Sequence, residues 1–90
     1  MKKHLNLSIR GKVQGVWYRA STKRRAEELG IKGIVRNEPD GSVYAELEGD
    51  KEAIDKMLEW CNHGPELAKV AEVVVSEGTL QHYTTFEISS

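Results

Sequence analysis

Ninety residues with a formal net charge of −1 suffice for one domain with one core, without the basic excess of a general nucleic-acid binder. Hydrophobic residues at 39% and charged residues at 30% describe a globular chain rather than a disordered one, and a single cysteine, Cys61, excludes an internal disulfide framework. No apolar run reaches bilayer-crossing length, and Met1-Lys2-Lys3-His4 leads into alternation rather than a signal-peptide core, so a cytoplasmic location with Cys61 reduced is expected.

His4 to Arg10 alternates, with Leu5, Leu7 and Ile9 on one face and His4, Asn6, Ser8 and Arg10 on the other, which predicts a half-buried strand. After the glycine-bracketed stretch Gly11-Lys12-Val13-Gln14-Gly15-Val16-Trp17-Tyr18-Arg19, the pattern turns helical from about Tyr18 to Leu29. Tyr18, Thr22, Ala26 and Leu29 share one stripe there, and Gly30 is placed as the stop. Ile31 to Asn37 is rich in β-branched residues, Glu38-Pro39-Asp40-Gly41 carries turn chemistry, and Ser42 to Glu48 alternates with Val43, Ala45 and Leu47 inward and Tyr44, Glu46 and Glu48 outward. These two strands form a hairpin.

Asp50 is the expected N-cap of a second helix whose apolar face carries Ala53, Ile54, Met57, Leu58 and Cys61, and Asn62-His63-Gly64-Pro65 ends it. Lys69 to Ser76 is a Val-rich strand, Glu77 to Tyr83 a polar connection, and Thr84 to Ile88 a short last strand with Phe86 and Ile88 facing in. The order βαββαβ plus a short C-terminal strand predicts an α+β, ferredoxin-like α/β sandwich, with both helices on one face of an antiparallel sheet. Residues 1–90 are expected to form one domain.

The chemistry concentrates in the first strand-to-helix connection. Two glycines four apart let the backbone turn its N–H groups inward, and the following helix aims its dipole at the same place. Arg19 sits at the end of that helix where a cation is unfavourable, an arrangement that makes sense around an anion such as a phosphoryl group. Asn37, at the end of the second strand, can face this cradle and offers both a donor and an acceptor. Cys61 falls on an apolar helix face and reads as core. His4, His63 and His82 are scattered without metal-ligand spacing, so neither a metal nor a cofactor is expected. Lys23, Arg24 and Arg25 form a solvated basic face beside the cradle.

Gly11-x-Val13-Gln14-Gly15-Val16-x-Tyr18-Arg19 and Gly33-Ile34-Val35-Arg36-Asn37-x-x-Asp40-Gly41-Ser42-Val43 resemble the two signature segments of the acylphosphatase family. Gly49, Gly64-Pro65 with Ala68-x-Val70, and Phe86-x-Ile88 extend the resemblance over essentially the whole chain. It departs at Ile34, where the family usually has an aromatic residue, and at Trp17, a bulky side chain at a variable loop position. The resemblance implies hydrolysis of an acyl phosphate to a carboxylate and inorganic phosphate, with Arg19 binding the phosphate and Asn37 positioning the attacking water. An acyl phosphate already carries a good leaving group, so positioning and charge stabilisation suffice without a metal or covalent nucleophile. The backbone of Gln14, Gly15, Val16, Trp17, Tyr18 and Arg19, with the Arg19 guanidinium, would hold the phosphoryl oxygens. The expected partner is a small acyl phosphate, with no nucleic acid and no membrane, and a monomer is expected.

Two other readings stay open on the sequence. One is a non-catalytic ferredoxin-like module for RNA or a small ligand, for which Tyr44 is the one plausible exposed aromatic on the central strands. The other is a domain acting on carbamoyl phosphate within a larger maturation machine, against which the free-standing length counts.

Overall fold

The computed structural model describes residues 1–89. Its elements run β1 (Lys2–Lys12), α1 (Tyr18–Leu29), β2 (Lys32–Asn37), β3 (Val43–Asp50), α2 (Lys51–Cys61), β4 (Lys69–Gly78) and β5 (Phe86–Ile88). The sheet order is β4-β1-β3-β2-β5, with both helices packed on it in a ferredoxin-like α+β fold. The four strands of the βαββαβ core pair antiparallel throughout. The tail strand alone departs from the expected antiparallel sheet. It pairs parallel to β2, with Gly33, Ile34 and Val35 opposite Phe86, Glu87 and Ile88. The reason is the route of the chain, which leaves β4 at one edge and crosses the sheet to reach the other edge.

The period-2 and period-3.6 stripes assemble the core. Leu5, Leu7 and Ile9 of β1 and Val43, Ala45 and Leu47 of β3 meet Tyr18 and Ala26 of α1 and Ile54, Met57 and Cys61 of α2. Gly30 ends α1 in the left-handed conformation, its N–H reaching back to the carbonyls of Ala26 and Glu27. Asp50 occupies the expected N-cap of α2, but its side chain makes no capping hydrogen bond; the Lys51 N–H donates instead to the Met1 carbonyl at 3.0 Å. Burial pushes the Cys61 thiol up to about 12, which suits a core residue rather than a nucleophile.

His4 and Glu48 point to the sheet face away from the helices, as their alternation requires, yet they are only 4% and 6% exposed. The connection between β4 and β5 covers them. Glu48 accepts hydrogen bonds from the Gln81 and Tyr83 amides, the latter at 2.9 Å, and lies 2.7 Å from His4 Nδ1. The polar connection expected from Glu77 to Tyr83 is therefore a strap, held by a carboxylate expected in solvent.

Candidate active site

Three features of the sequence shape the end of the sheet where β1 stops. Gly11 takes φ +126°, and the register of β1 against β4 shifts between Arg10 and Gly11. A Cβ at Gly11 would stand 2.2 Å from the Lys69 carbonyl oxygen, so only glycine allows this close passage of the two strands. Beyond it, the side chains of Val13, Val16 and Tyr18 plunge into the core and pin the loop from below. Tyr18 is fixed further, because its hydroxyl donates to the Cys61 carbonyl at 2.7 Å and its ring lies 5.6 Å from that of Trp60. With these side chains committed inward, the intervening backbone stays on the surface. Gly15 turns there at φ +73°, and Trp17 takes φ +67° at the N-cap of α1.

A helix leaves its first N–H groups without intrahelical partners. In α1 the first regular bond runs from the Ser21 N–H to the Trp17 carbonyl at 3.0 Å, so the amides of Tyr18, Arg19 and Ala20 lie ahead of the ladder. No side chain caps this end, and the first turn carries no acidic residue. All three residues line one cavity of about 300 Å³, together with Val13, Gly15, Trp17 and Ile88. The residues of an uncapped helix start, with the positive end of its dipole, and Arg19 thus line one opening, and none of the seven lining residues is acidic.

Of the residues singled out in the sequence, Gly15, Trp17, Tyr18 and Arg19 meet at this cavity, whereas Gln14 and Val16 do not line it. Val16 serves as a core anchor. The Gln14 side chain spans to the hairpin, its amide donating to the Glu38 carbonyl at 2.8 Å and the Ser42 carbonyl at 2.9 Å. Gln14 therefore ties the loop to the turn that begins one residue after Asn37, a role its position in the loop did not reveal. Asn37 pairs with Val43 across β2 and β3, and Val43 pairs in turn with Ile9 of β1, so Asn37 lies at the same end of the sheet as the loop. It is not among the residues lining the cavity, and its Oδ1 is buried and accepts no hydrogen bond from the described residues.

The hairpin turn is itself tied. Asp40 Oδ1 accepts from the Ser42 N–H at 2.9 Å and from the Ser42 hydroxyl at 2.6 Å, and these bonds hold the Asp40 carboxyl below its usual range. The assignment of Asp40 to the turn therefore stands. Ile88 was read as an inward residue of the last strand; β5 instead leaves it 42% exposed at the rim of the cavity. Its approach to Arg19 is long-range and has no local signature. Among the described residues no group of three or more His, Cys, Asp or Glu side chains is placed to hold a metal ion, and no helix is long and apolar enough to cross a membrane.

An uncapped helix start and an arginine at one cavity without carboxylates, on an α+β sandwich, form an arrangement suited to an anion. Residues 5–88 match the family model described as Acylphosphatase. Over 75 residues the chain is 52% identical to the acylphosphatase of Methylococcus capsulatus, covering 83% of this chain and 82% of that protein. It is 51% identical over 85 residues to the acylphosphatase of Thiobacillus denitrificans, covering 94% of each. An acylphosphatase structure from Coxiella burnetii superposes with a TM-score of 0.95 at 33% identity, covering 98% of this chain and 93% of that one. The chain belongs to the acylphosphatase family and is an enzyme that hydrolyses acyl phosphates.

Proposed function

We propose that the bend from Gln14 to Arg19 holds the phosphoryl group of the substrate, that Arg19 neutralises it, and that Asn37 orients the attacking water. The observation that carries this reading is the uncapped start of α1, where Tyr18, Arg19 and Ala20 line one cavity without acidic residues. The Asn37 Oδ1 supports the second half of it, since a buried acceptor without a donor among the described residues suits a water molecule.

In this mechanism water attacks phosphorus while the bond from phosphorus to the acyl oxygen breaks. The carboxylate leaves, and the proton of the water passes to a phosphoryl oxygen of the substrate. Asn37 Oδ1 accepts a hydrogen bond from the water and stays neutral. Charge develops on the phosphoryl and leaving oxygens, where fixed amide donors and a guanidinium are most effective. The reaction proceeds without a metal and without a protein general base. The working form is a monomer of one domain in the cytoplasm.

The test is hydrolysis of acetyl phosphate with and without a chelator. Activity that survives chelation, is lost in Arg19→Ala and is not restored in Arg19→Lys supports the reading, because lysine lacks the two-pronged donor. Asn37→Ala should lower kcat by roughly 10²-fold while inorganic phosphate still binds. Full turnover in Arg19→Ala, or loss of phosphate binding alone in Asn37→Ala, would sink it.

A further inference from the structure

The two helices carry a second opening, separate from the bend. Lys56, Glu59, Trp60 and His63 recur at i, i+3, i+4 and i+7, so they form one stripe along α2. His63 lies beyond the last helical residue, but its N–H donates to the Trp60 carbonyl at 3.0 Å, and this turn carries the stripe on. On α1, Arg25 follows Tyr18 by seven residues, nearly two turns. It therefore shares the side of α1 from which the Tyr18 hydroxyl reaches the Cys61 carbonyl of α2. Arg25, Lys56, Glu59, Trp60 and His63 line a groove of about 270 Å³.

The groove leaves a donor open. Arg25 Nη1 donates to Glu28 at 3.2 Å, but Arg25 Nε is buried and has no hydrogen-bond partner among the described residues. A shielded guanidinium N–H without an acceptor is costly, and a ligand oxygen relieves that cost. Arg25, Lys56 and His63 share the lining with a single carboxylate, Glu59. Trp60 is half-buried, and its ring is held against that of Tyr18 with centroids 5.6 Å apart, which makes the indole a fixed aromatic platform.

A free phosphate would leave both the indole and Glu59 unused. A ligand that answers the whole lining carries phosphate oxygens for the cations, a flat ring for the indole and an N–H or hydroxyl donor for the carboxylate. We propose that the groove between α1 and α2 is a second, non-catalytic site that binds a nucleoside phosphate. Its phosphates lie against Arg25 and Lys56, its base stacks on Trp60, and a hydroxyl or amino group donates to Glu59. This site does not depend on the reading of the bend at Arg19.

The experiment is calorimetric titration with ADP, and with adenosine and pyrophosphate as its two halves. The wild type should bind ADP with a Kd below about 1 mM. Arg19→Ala should bind ADP as well as the wild type does, because Arg19 lines the other cavity. In the Arg19→Ala background, adenosine and pyrophosphate should each bind at least about tenfold more weakly than ADP. There, Arg25→Gln and Lys56→Gln should each weaken ADP binding about tenfold, and Trp60→Leu about fivefold. In the otherwise wild-type enzyme, Arg25→Gln and Lys56→Gln should leave acetyl phosphate hydrolysis unchanged. No ADP binding by folded wild type at about 1 mM would overturn the site. So would binding that disappears in Arg19→Ala yet is unmoved by Arg25→Gln and Lys56→Gln, since the nucleotide would then occupy the catalytic cavity. Pyrophosphate that binds Arg19→Ala as tightly as ADP, with no effect of Trp60→Leu, would reduce the groove to a plain anion patch and overturn the nucleotide assignment.

Discussion

Two polar regions of this molecule lie on opposite terms with their surroundings. On the sheet face away from the helices, nearly every group is answered. His4 Nδ1 stands 2.7 Å from Glu48, and His4 Nε2 stands 2.8 Å from Asn6 Oδ1 and 3.3 Å from Glu46. The Tyr44 and Tyr83 hydroxyls each donate to Glu46 at 2.7 Å, and the Arg36 guanidinium lies 4.5 Å over the Tyr44 ring while its Nε donates to Glu38 at 3.0 Å. Burial and the Glu46 carboxylate push both tyrosines up to about 12, so they remain donors at neutral pH. At the start of α1 the opposite holds, with an uncapped helix start, an arginine lining a cavity and a tryptophan at positive φ, and at the same end of the sheet the Asn37 oxygen has no partner among the described residues. The difference matches the proposed division of labour. Polar groups that hold a fold satisfy one another, whereas those that handle a substrate are fixed in place with their donors and acceptors left over.

That contrast breaks most readily at Arg19. Arg19→Ala should lower kcat/KM for acetyl phosphate by about 10²–10³-fold, the scale on which a preorganised charge-stabilising donor acts. Thermal unfolding of the same variant should move by no more than about 2 °C, since no partner in the fold is orphaned. A large loss of stability instead would make Arg19 structural.

Glu48 should give the mirror image. Glu48→Ala leaves two amides and His4 without their acceptor, a loss of about 3 kcal/mol, or roughly 15 °C in Tm for a domain of this size. Activity per folded molecule should stay at the wild-type level, because the site lies at the other end of the sheet. Burial alone would raise the Glu48 carboxyl, but the Gln81 and Tyr83 amides and His4 outweigh it and hold it below its usual range. A lowered folded value means the contribution is present above the unfolded value and disappears as pH falls through the folded one. Glu48→Gln should therefore flatten part of the loss of stability seen on acidification below about pH 4, read by thermal unfolding across pH.

The sequence made the core stripes and the bend before α1 legible and hid the covered sheet face. Alternation at Leu5, Leu7 and Ile9 and the stripe at Tyr18, Thr22 and Ala26 report local periodicity, and the structure buries those residues. The bend proposed as the site was visible for the same reason, since glycine spacing, a helix start and an arginine are neighbours in the chain. His4 and Glu48 were read as solvent-facing because a strand's outer face is polar in either case. What buries them is a strap more than thirty residues beyond Glu48, including Gln81 and Tyr83. Ile88 and the Gln14 side chain escaped for the same reason, as their partners are fixed by topology rather than by spacing.

Gln14 stands between the two regions, paired like a structural residue but set in the loop of the site. Gln14→Ala removes two bonds to hairpin carbonyls and should cost about 1–2 kcal/mol. Because the loop and the end of β2 then lose their shared tie, kcat should also fall by about tenfold, a smaller drop than for Arg19. Stability lost without any change in kcat would show that the hairpin does not help to position the loop.

Asp40 tests how far that positioning reaches, and the expected effect is the smallest. Its carboxylate accepts both the Ser42 amide and hydroxyl, while the Ser42 carbonyl receives Gln14. The Ser42 bonds hold the Asp40 carboxyl below its usual range, so its contribution is present at neutral pH and vanishes as pH drops through that lowered value. Asp40→Asn keeps an acceptor oxygen but removes the charge. The variant should unfold slightly below the wild type at neutral pH, and the two Tm curves should meet on acidification. Its kcat should stay close to the wild-type value, because the tie from Gln14 ends on backbone carbonyls rather than on the Asp40 side chain. A kcat loss as large as that of Gln14→Ala would extend the positioning machinery into the turn and move the boundary between the two regions there.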